Sequence, residues 1–152
     1  MSFWDSLRIG ASGLAAQRLR LDVISNNIAN ANTTHTAAGG PYQREDVVFS
    51  SGATPSFGPL LAAARNGQPV TAQLVAGGVQ VSQIVTDTTP GSRVYDPKNP
   101  DADATGYVTY PNVDLATEMT NMISATRSYE ANLASVEAVK HMALQALTIG
   151  TK

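Results

Sequence analysis

A short loop in this chain has part of the spacing of a calcium ligand set. The stretch DADATG, residues 101–106, places two aspartates, a threonine and a glycine at the first, third, fifth and sixth positions of an EF-hand loop. The twelfth position of such a loop requires a bidentate glutamate, and here it is Asn112. Pro100 and Pro111 also disfavour the flanking helices. We therefore interpret the stretch as a polar turn between strands and expect no metal site.

The sequence supports catalytic and phosphate-binding sites no better than it supports a calcium site. The GxSxG motif of hydrolases is absent, and the two histidines, His35 and His141, lie far apart in sequence and are assigned no role. Neither glycine pair, at 39–40 or 77–78, is followed by the Lys-Ser/Thr of a phosphate loop. The adjacent carboxylates at 45–46 would point to opposite faces of a strand. We expect no enzyme, no cofactor and no small-molecule substrate.

The composition excludes several classes of partner. Charged residues are 14% of the chain, against about 25% in ordinary domains. A net charge of −2 predicts no broad attraction to nucleic acid or membranes, and the absence of cysteine excludes a disulfide framework. No apolar run reaches the length of a membrane span. The start MSFWDSLRIGASGL lacks the basic and apolar regions of a cleaved signal peptide.

The C-terminal segment has the clearest periodicity. Apolar positions alternate in steps of four and three, which predicts a helix with a heptad line from about 114 to 148. Asp114 is the predicted N-cap, Glu118 suits the first turn, and Gly150 is the expected stop. The line comprises Leu115, Met119, Met122, Thr126, Tyr129, Leu133, Val136, Lys140, Ala143 and Leu147.

The N-terminal segment repeats this pattern and then ends in asparagines. A helix is predicted over about 4–28, with a heptad line of Trp4, Leu7, Ala11, Leu14, Arg18, Leu21, Ser25 and Ile28. The stretch ISNNIANANTT, residues 24–34, places four asparagines near its end. They are consistent with a helix cap and turn, and also with uncharged groups bonding across a packed interface.

The middle of the chain is different. Residues 35–112 hold all eight prolines, and strands are predicted at YQREDVVFS, GVQVSQIVTD, SRVYD and GYVTY, with loops at SGATPSFGP and NGQP. The predicted fold is mainly α with a small β-rich middle module, divided into residues 1–34, 35–112 and 113–152. The long terminal helices are expected to form coiled-coil-like packing in a helical assembly.

Two functions remain open from the residues. Small neutral residues dominate the faces outside the heptad lines, which favours helices packed on several sides within an assembly. The alternative is a self-contained coiled-coil adaptor or binding module with a β head. In an assembly, we expect these residues at subunit contacts: Leu14, Leu21, Asn26, Asn27, Ile28, Asn30, Leu115, Met119, Met122, Tyr129, Leu133, Val136 and Leu147.

A set of motifs identifies a family. In order, LAAQRLRLDVISNNIANANTT, GGPYQRE, VYDPKNPDADATGYVTYPNVD and MISATRSYEANLASVEAVKHMALQALTIG resemble the bacterial flagellar basal-body rod proteins, and among them the FlgC-type proximal rod proteins. The resemblance covers roughly residues 3–50 and 93–152. The sequence THTAAGG departs from the family pattern before the paired glycines.

The resemblance implies a structural subunit of the proximal rod in the flagellar basal body, the drive shaft that crosses the periplasm. Its implied partners are other copies of itself, other rod proteins, the basal-body base and the flagellar type III export apparatus. Export would occur without signal-peptide cleavage. The family carries an export signal of Phe, three residues and an apolar residue, which Phe3 and Leu7 match here.

Overall fold

Two long helices flank four short strands in chain order. The computed structural model describes residues 3–52, 65 and 77–150. The elements are α1 (Phe3–Ala29), β1 (Glu45–Ser51), β2 (Val79–Thr86), β3 (Arg93–Tyr95), β4 (Tyr107–Thr109) and α2 (Leu115–Gly150). The predicted fold, mainly α with a small β module, is confirmed. The loops predicted at SGATPSFGP and NGQP lie largely outside the described residues.

Asp114 determines where α2 begins. Its carboxylate accepts hydrogen bonds from the backbone N–H of Ala116 and the hydroxyl of Thr117, both at 2.9 Å, which confirms the predicted N-cap. These two bonds, that from Thr117 first, hold the pKa of Asp114 below its usual value. At its other end, α2 extends to Gly150, the expected stop, two residues beyond the predicted bound of about 148.

The strands form two antiparallel pairs. Strand β1 pairs with β2: the Arg44 carbonyl accepts from the Asp87 N–H at one end, and the Gly52 N–H donates to Gly78 at the other. The order of these contacts makes the pair antiparallel. Strands β3 and β4 are also antiparallel, with Val94 opposite Val108.

Contacts divide the chain into two compact units. Unit 1 contains α1 up to Ala16, β1 from Phe49, β2 up to Val81, and α2 from Tyr129. Unit 2 contains residues 17–48 and 82–128. Both units draw on all three segments of the division predicted from sequence, and that division stays a prediction.

Unit 1 brings two helix segments very close together. A β-carbon placed on Gly10 would lie 2.5 Å from Cγ2 of Val136, and one on Gly13 would lie 3.0 Å from Nδ2 of Asn132. Residue numbers rise on α1 as they fall on α2, so the segments run antiparallel. The Ser12 hydroxyl accepts the Val79 N–H at 3.1 Å and so fixes the start of β2 to α1. Glycine at both α1 positions permits this approach.

Unit 2 has a small apolar core beside a polar one. Its buried hydrophobic residues include Val23, Ile24, Val47, Val108 and Ala125. Asn27 and Glu118 are also buried, each about 1% exposed. Buried polar groups require partners, so the arrangement around these two determines how the unit holds together.

Candidate assembly interface

Asn27 has partners for its whole side-chain amide. Its Nδ2 donates to the Glu45 carbonyl at 2.8 Å and to Oε2 of Glu118 at 3.2 Å. Its Oδ1 accepts from the Tyr42 hydroxyl at 2.9 Å and from the Glu45 N–H at 3.0 Å. One amide thus connects the last turns of α1, the start of β1 and the first turn of α2. We call Asn27, Tyr42, Arg44 and Glu118 the polar cluster.

Glu118 is the charged centre of the polar cluster. Its Oε1 lies 2.8 Å from Nε of Arg44, whose side chain is largely covered. The hydrogen bond to Glu118 is the main cause that raises the pKa of Arg44 above its usual value. Burial, followed by repulsion from Glu45 and Glu118, raises the pKa of Tyr42. The cluster therefore keeps Arg44 charged and Tyr42 protonated at neutral pH.

The polar cluster was only partly visible in the sequence. Asn27 was predicted at a subunit contact, but the structure places it inside a single chain with its amide fully bonded. Any effect of Asn27 on assembly would therefore act through the fold of this segment. Glu118 was interpreted as a favourable first-turn charge, and Arg44 and Tyr42 were given no role. The position of Glu118 as one of only three glutamates in the charge-poor helix α2 was the available signal.

Asn26 and Asn30 cap the C-terminal end of α1. The Asn30 amide donates to the carbonyl of Asn26 at 3.0 Å and to its Oδ1 at 2.9 Å. Its own Oδ1 accepts from the Thr33 hydroxyl at 3.1 Å. These bonds satisfy groups at the end of α1 and turn the chain, as the capping interpretation predicts. Their predicted role at a subunit contact stays a prediction.

On α2, the predicted contact residues fall into two groups. Met122, Tyr129 and Val136 are half-buried within the fold. The remaining members are exposed, namely Leu115, Met119, Leu133 and Leu147. The fold instead covers a neighbouring line with the same spacing, made of Glu118, Met122, Ala125, Tyr129, Asn132, Val136, Val139 and Ala143. Large apolar side chains are thus left facing outwards along α2.

On α1, the predicted residues are mostly half-covered. The side chains with intermediate exposure are Leu7, Leu14, Leu21 and Ile28. Phe3 and Trp4 are exposed, and their rings contact each other edge to face with ring centroids 5.6 Å apart. The most deeply buried α1 residues are Ala16, Val23, Ile24 and Asn27. The exposed aromatic side chains of α1, Phe3 and Trp4, therefore lie at the beginning of the helix.

The calcium-like stretch forms the turn between β3 and β4, as predicted. Oδ1 of Asp103 accepts the N–H groups of Thr105 and Tyr107 and the Thr105 hydroxyl, while Oδ2 pairs with Arg93. The hydrogen bonds from Thr105 and Tyr107 lower the pKa of Asp103 to about 2. Over the part of the chain that the structure describes, no cluster of three or more acidic or histidine side chains could hold a metal ion.

Within the described ranges, no helix has the length and apolar character to cross a membrane. The geometry therefore presents a polar cluster inside unit 2 and, on the two terminal helices, large apolar side chains that face outwards. Neither feature has the form of a catalytic centre. The outward apolar side chains are typical of a surface that packs against other proteins, whereas the polar cluster holds unit 2 together.

Comparisons with known proteins decide the family. The model "Flagella basal body rod protein" matches residues 7–34, and "Flagellar basal body rod FlgEFG protein C-terminal" matches residues 104–149. The flagellar basal-body rod protein FlgC of Bacillus subtilis is 43% identical, over 99% of each chain. This chain belongs to the flagellar basal-body rod protein family. The FlgC proteins of Borreliella burgdorferi and Salmonella typhimurium are 42% and 41% identical, over 98% and 99% of each chain.

Family membership decides between the two functions left open by the sequence. The chain is a FlgC-type structural subunit of the flagellar basal-body rod. Asn27 lies in one matched stretch and Glu118 in the other, so the polar cluster joins the two parts of the chain that carry the family resemblance. Arg44 and Tyr42 lie outside both stretches.

Proposed function

We propose that this rod subunit assembles with copies of itself and with other rod proteins through the outward apolar faces of α1 and α2. The subunit performs no catalysis and needs no cofactor. The type III export apparatus carries it across the inner membrane without signal cleavage, with Phe3 and Leu7 as the signal. It then joins the basal-body base and forms the part of the rod that crosses the periplasm.

The observation that carries this proposal is the exposure of large apolar side chains on both terminal helices. They are Phe3, Trp4, Leu115, Met119, Ile123, Leu133, Met142, Leu144, Leu147 and Ile149. Apolar surface of this extent is costly in water, and covering it with another subunit removes that cost. Few charges accompany it, so a partner can cover it without burying unpaired ions.

The test replaces exposed apolar residues and leaves the internal packing alone. Leu133→Asp together with Leu147→Asp should stop incorporation into rods and abolish motility, because the new charges would be buried at a subunit contact. Neither residue is buried inside the chain, so the isolated variant should fold normally by circular dichroism. Ala138→Asp with Gln145→Asp adds the same charges at exposed smaller or polar positions and should retain some incorporation. Motile cells with the leucine variant would refute the proposal.

A further inference from the structure

Unit 1 contains an uncharged groove. It lies between α1, the start of β2 and α2, has a volume of about 410 Å³, and is lined by Ser6, Ile9, Gly10, Gly13, Val79, Asn132, Ser135, Val136 and Val139. The small residues Ser6, Gly10 and Ser135 leave the space, and Ile9, Val136 and Val139 give it apolar walls. A groove with this lining accepts an apolar side chain and disfavours an ion, which would find no countercharge there.

The end of α2 has the complementary character. Residues 141–150 include no Asp, Glu, Lys or Arg, and Leu147 and Ile149 are 68% and 77% exposed. Gly10 lies opposite Val136 in an antiparallel pair, so Phe3 lies level with about residue 143 and the last turns of α2 continue past it. These turns therefore present apolar side chains that lie beyond the start of α1 and are not covered by it.

The apolar residues at this helix end occupy two opposite sides. Met142 and Ile149 are seven residues apart and share one side, whereas Leu144 and Leu147 lie about 180° around the axis. A single flat contact cannot cover both sides. The groove is a separate surface on the same unit, and a contact that joins two different surfaces of identical chains is head-to-tail, so it builds either a closed ring or an open helical polymer.

We propose that Leu144 and Leu147 of one copy occupy the groove of a second copy of this chain. The inference rests on the proposed assembly function and specifies one contact within it. Matching of uncharged surfaces favours this occupant: the leucines bring no charge into a groove that offers none. Each copy then carries one groove and one helix end, so addition can continue in one direction.

The absence of cysteine from the chain makes cross-linking specific. One tagged chain carries Ser135→Cys in the groove, and a differently tagged chain carries Leu147→Cys, both expressed in cells that lack the unsubstituted protein. Basal bodies are purified and treated with a short bis-maleimide. We expect a cross-linked species with both tags. The matched control is Ser124→Cys, an exposed serine of α2 outside the groove, which should give about tenfold less of that species.

The outcomes separate this contact from assembly in general. If both chains enter basal bodies but the doubly tagged species does not exceed the Ser124→Cys control, the groove contact is wrong and the assembly function stands. The same conclusion follows if Leu147→Cys cross-links to a different rod protein instead. If neither the substituted nor the unsubstituted chain enters basal bodies, the proposed function fails, and this inference fails with it.

A second variant tests the contact without cysteine chemistry. Ser135→Leu fills the groove and should lower incorporation about tenfold, which corresponds to about 1.4 kcal/mol. Ser124→Leu adds the same side chain outside the groove and should incorporate normally. Equal incorporation of the two leucine variants would overturn the proposal, whether or not the cysteine chains assemble.

Discussion

Nδ2 of Asn27 lies 3.2 Å from Oε2 of Glu118, a residue 91 positions later in the chain, and both side chains are almost completely buried. The same amide bonds the Glu45 backbone and the Tyr42 hydroxyl. The contact therefore joins the two stretches that identify the family, and it does so with groups whose bonds are costly to break.

We first predict that Asn27→Ala destabilises unit 2. The substitution leaves the Glu118 carboxylate, the Tyr42 hydroxyl and both backbone groups of Glu45 with fewer partners, at about 1–3 kcal/mol for each buried group left unpaired. Urea unfolding of the purified subunit measures the loss. Asn32→Ala, at an exposed position in the turn that follows α1, is the control and should change stability by less than about 0.5 kcal/mol. Equal effects would mean that the cluster has no special energetic role.

A double-mutant cycle at Arg44 and Glu118 should show a large coupling in the free energy of unfolding. Removing one partner leaves the other as an uncompensated buried charge, and such losses are about 3–5 kcal/mol. Arg44→Met with Glu118→Met should cost clearly less than the two single losses added together. The exposed pair of Arg93 and Asp103 provides a reference cycle, which should show a much weaker coupling because water screens it. Additive losses at Arg44 and Glu118 would contradict the assigned ion pair.

The pKa of Asp103 predicts an acid-sensitive hairpin. Its folded pKa of about 2 lies below the usual value of about 3.9 for an unfolded aspartate. The depressed value means that ionised Asp103 stabilises the turn above about pH 4, and this stabilisation is lost as the pH falls from 4 through 2. The protection of the Thr105 and Tyr107 amides against hydrogen exchange, relative to the intrinsic exchange rate at each pH, should fall over that window. Asp103→Asn should remove this pH dependence, and a variant that keeps it would show that another group is responsible.

Gly10→Ala should destabilise unit 1, although alanine is the better helix former by about 1 kcal/mol. The new β-carbon would lie 2.5 Å from Cγ2 of Val136, whose branched side chain has little freedom to move away. Overpacking of this kind costs about 1–3 kcal/mol. Val136→Ala should rescue the variant in urea unfolding. If Gly10→Ala alone raises stability, the helices do not approach as closely as described.

Phe3 and Leu7 should separate export from packing. Phe3 is exposed and Leu7 is half-covered, so Phe3→Ala should reduce secretion without changing the stability of the purified subunit. Leu7→Ala should reduce both the amount of secreted protein and the stability of the purified subunit. Secretion is measured in a strain without later rod components, so that assembly does not mask export. Trp4→Ala, another exposed aromatic next to Phe3, is the control. Normal secretion of the Phe3 variant would remove it from the signal.

Local patterns predicted local structure well. Steps of three and four residues located both helices to within about two residues at each end, and Asp114 was identified as a cap because capping depends only on neighbouring residues. The four strands were found for the same reason. The fold and the family therefore followed from spacing and motif.

The contacts between distant segments were not predictable in this way. Nothing in the spacing of α1 indicates that Asn27 meets Glu118, because the partners are separated by the whole middle of the chain. Half of the covered line of α2 was also missed, namely Glu118, Ala125, Asn132 and Val139. The prediction selected large apolar residues, whereas closely packed helices use small ones such as Gly10, Gly13 and Ala125.

The small residues at the helix contacts have a thermal consequence. Heat capacity rises on unfolding in proportion to the apolar surface that becomes exposed, and glycine and alanine contribute little of that surface. An isolated subunit should therefore unfold with a low heat-capacity increment and a shallow dependence of stability on temperature. In the proposed assembly, the leucines, methionines and aromatic residues that are exposed on the single chain become covered only in the rod. Calorimetry should accordingly assign most of the heat-capacity change to dissociation of subunits, so cooling should weaken the polymer more than the fold of each subunit.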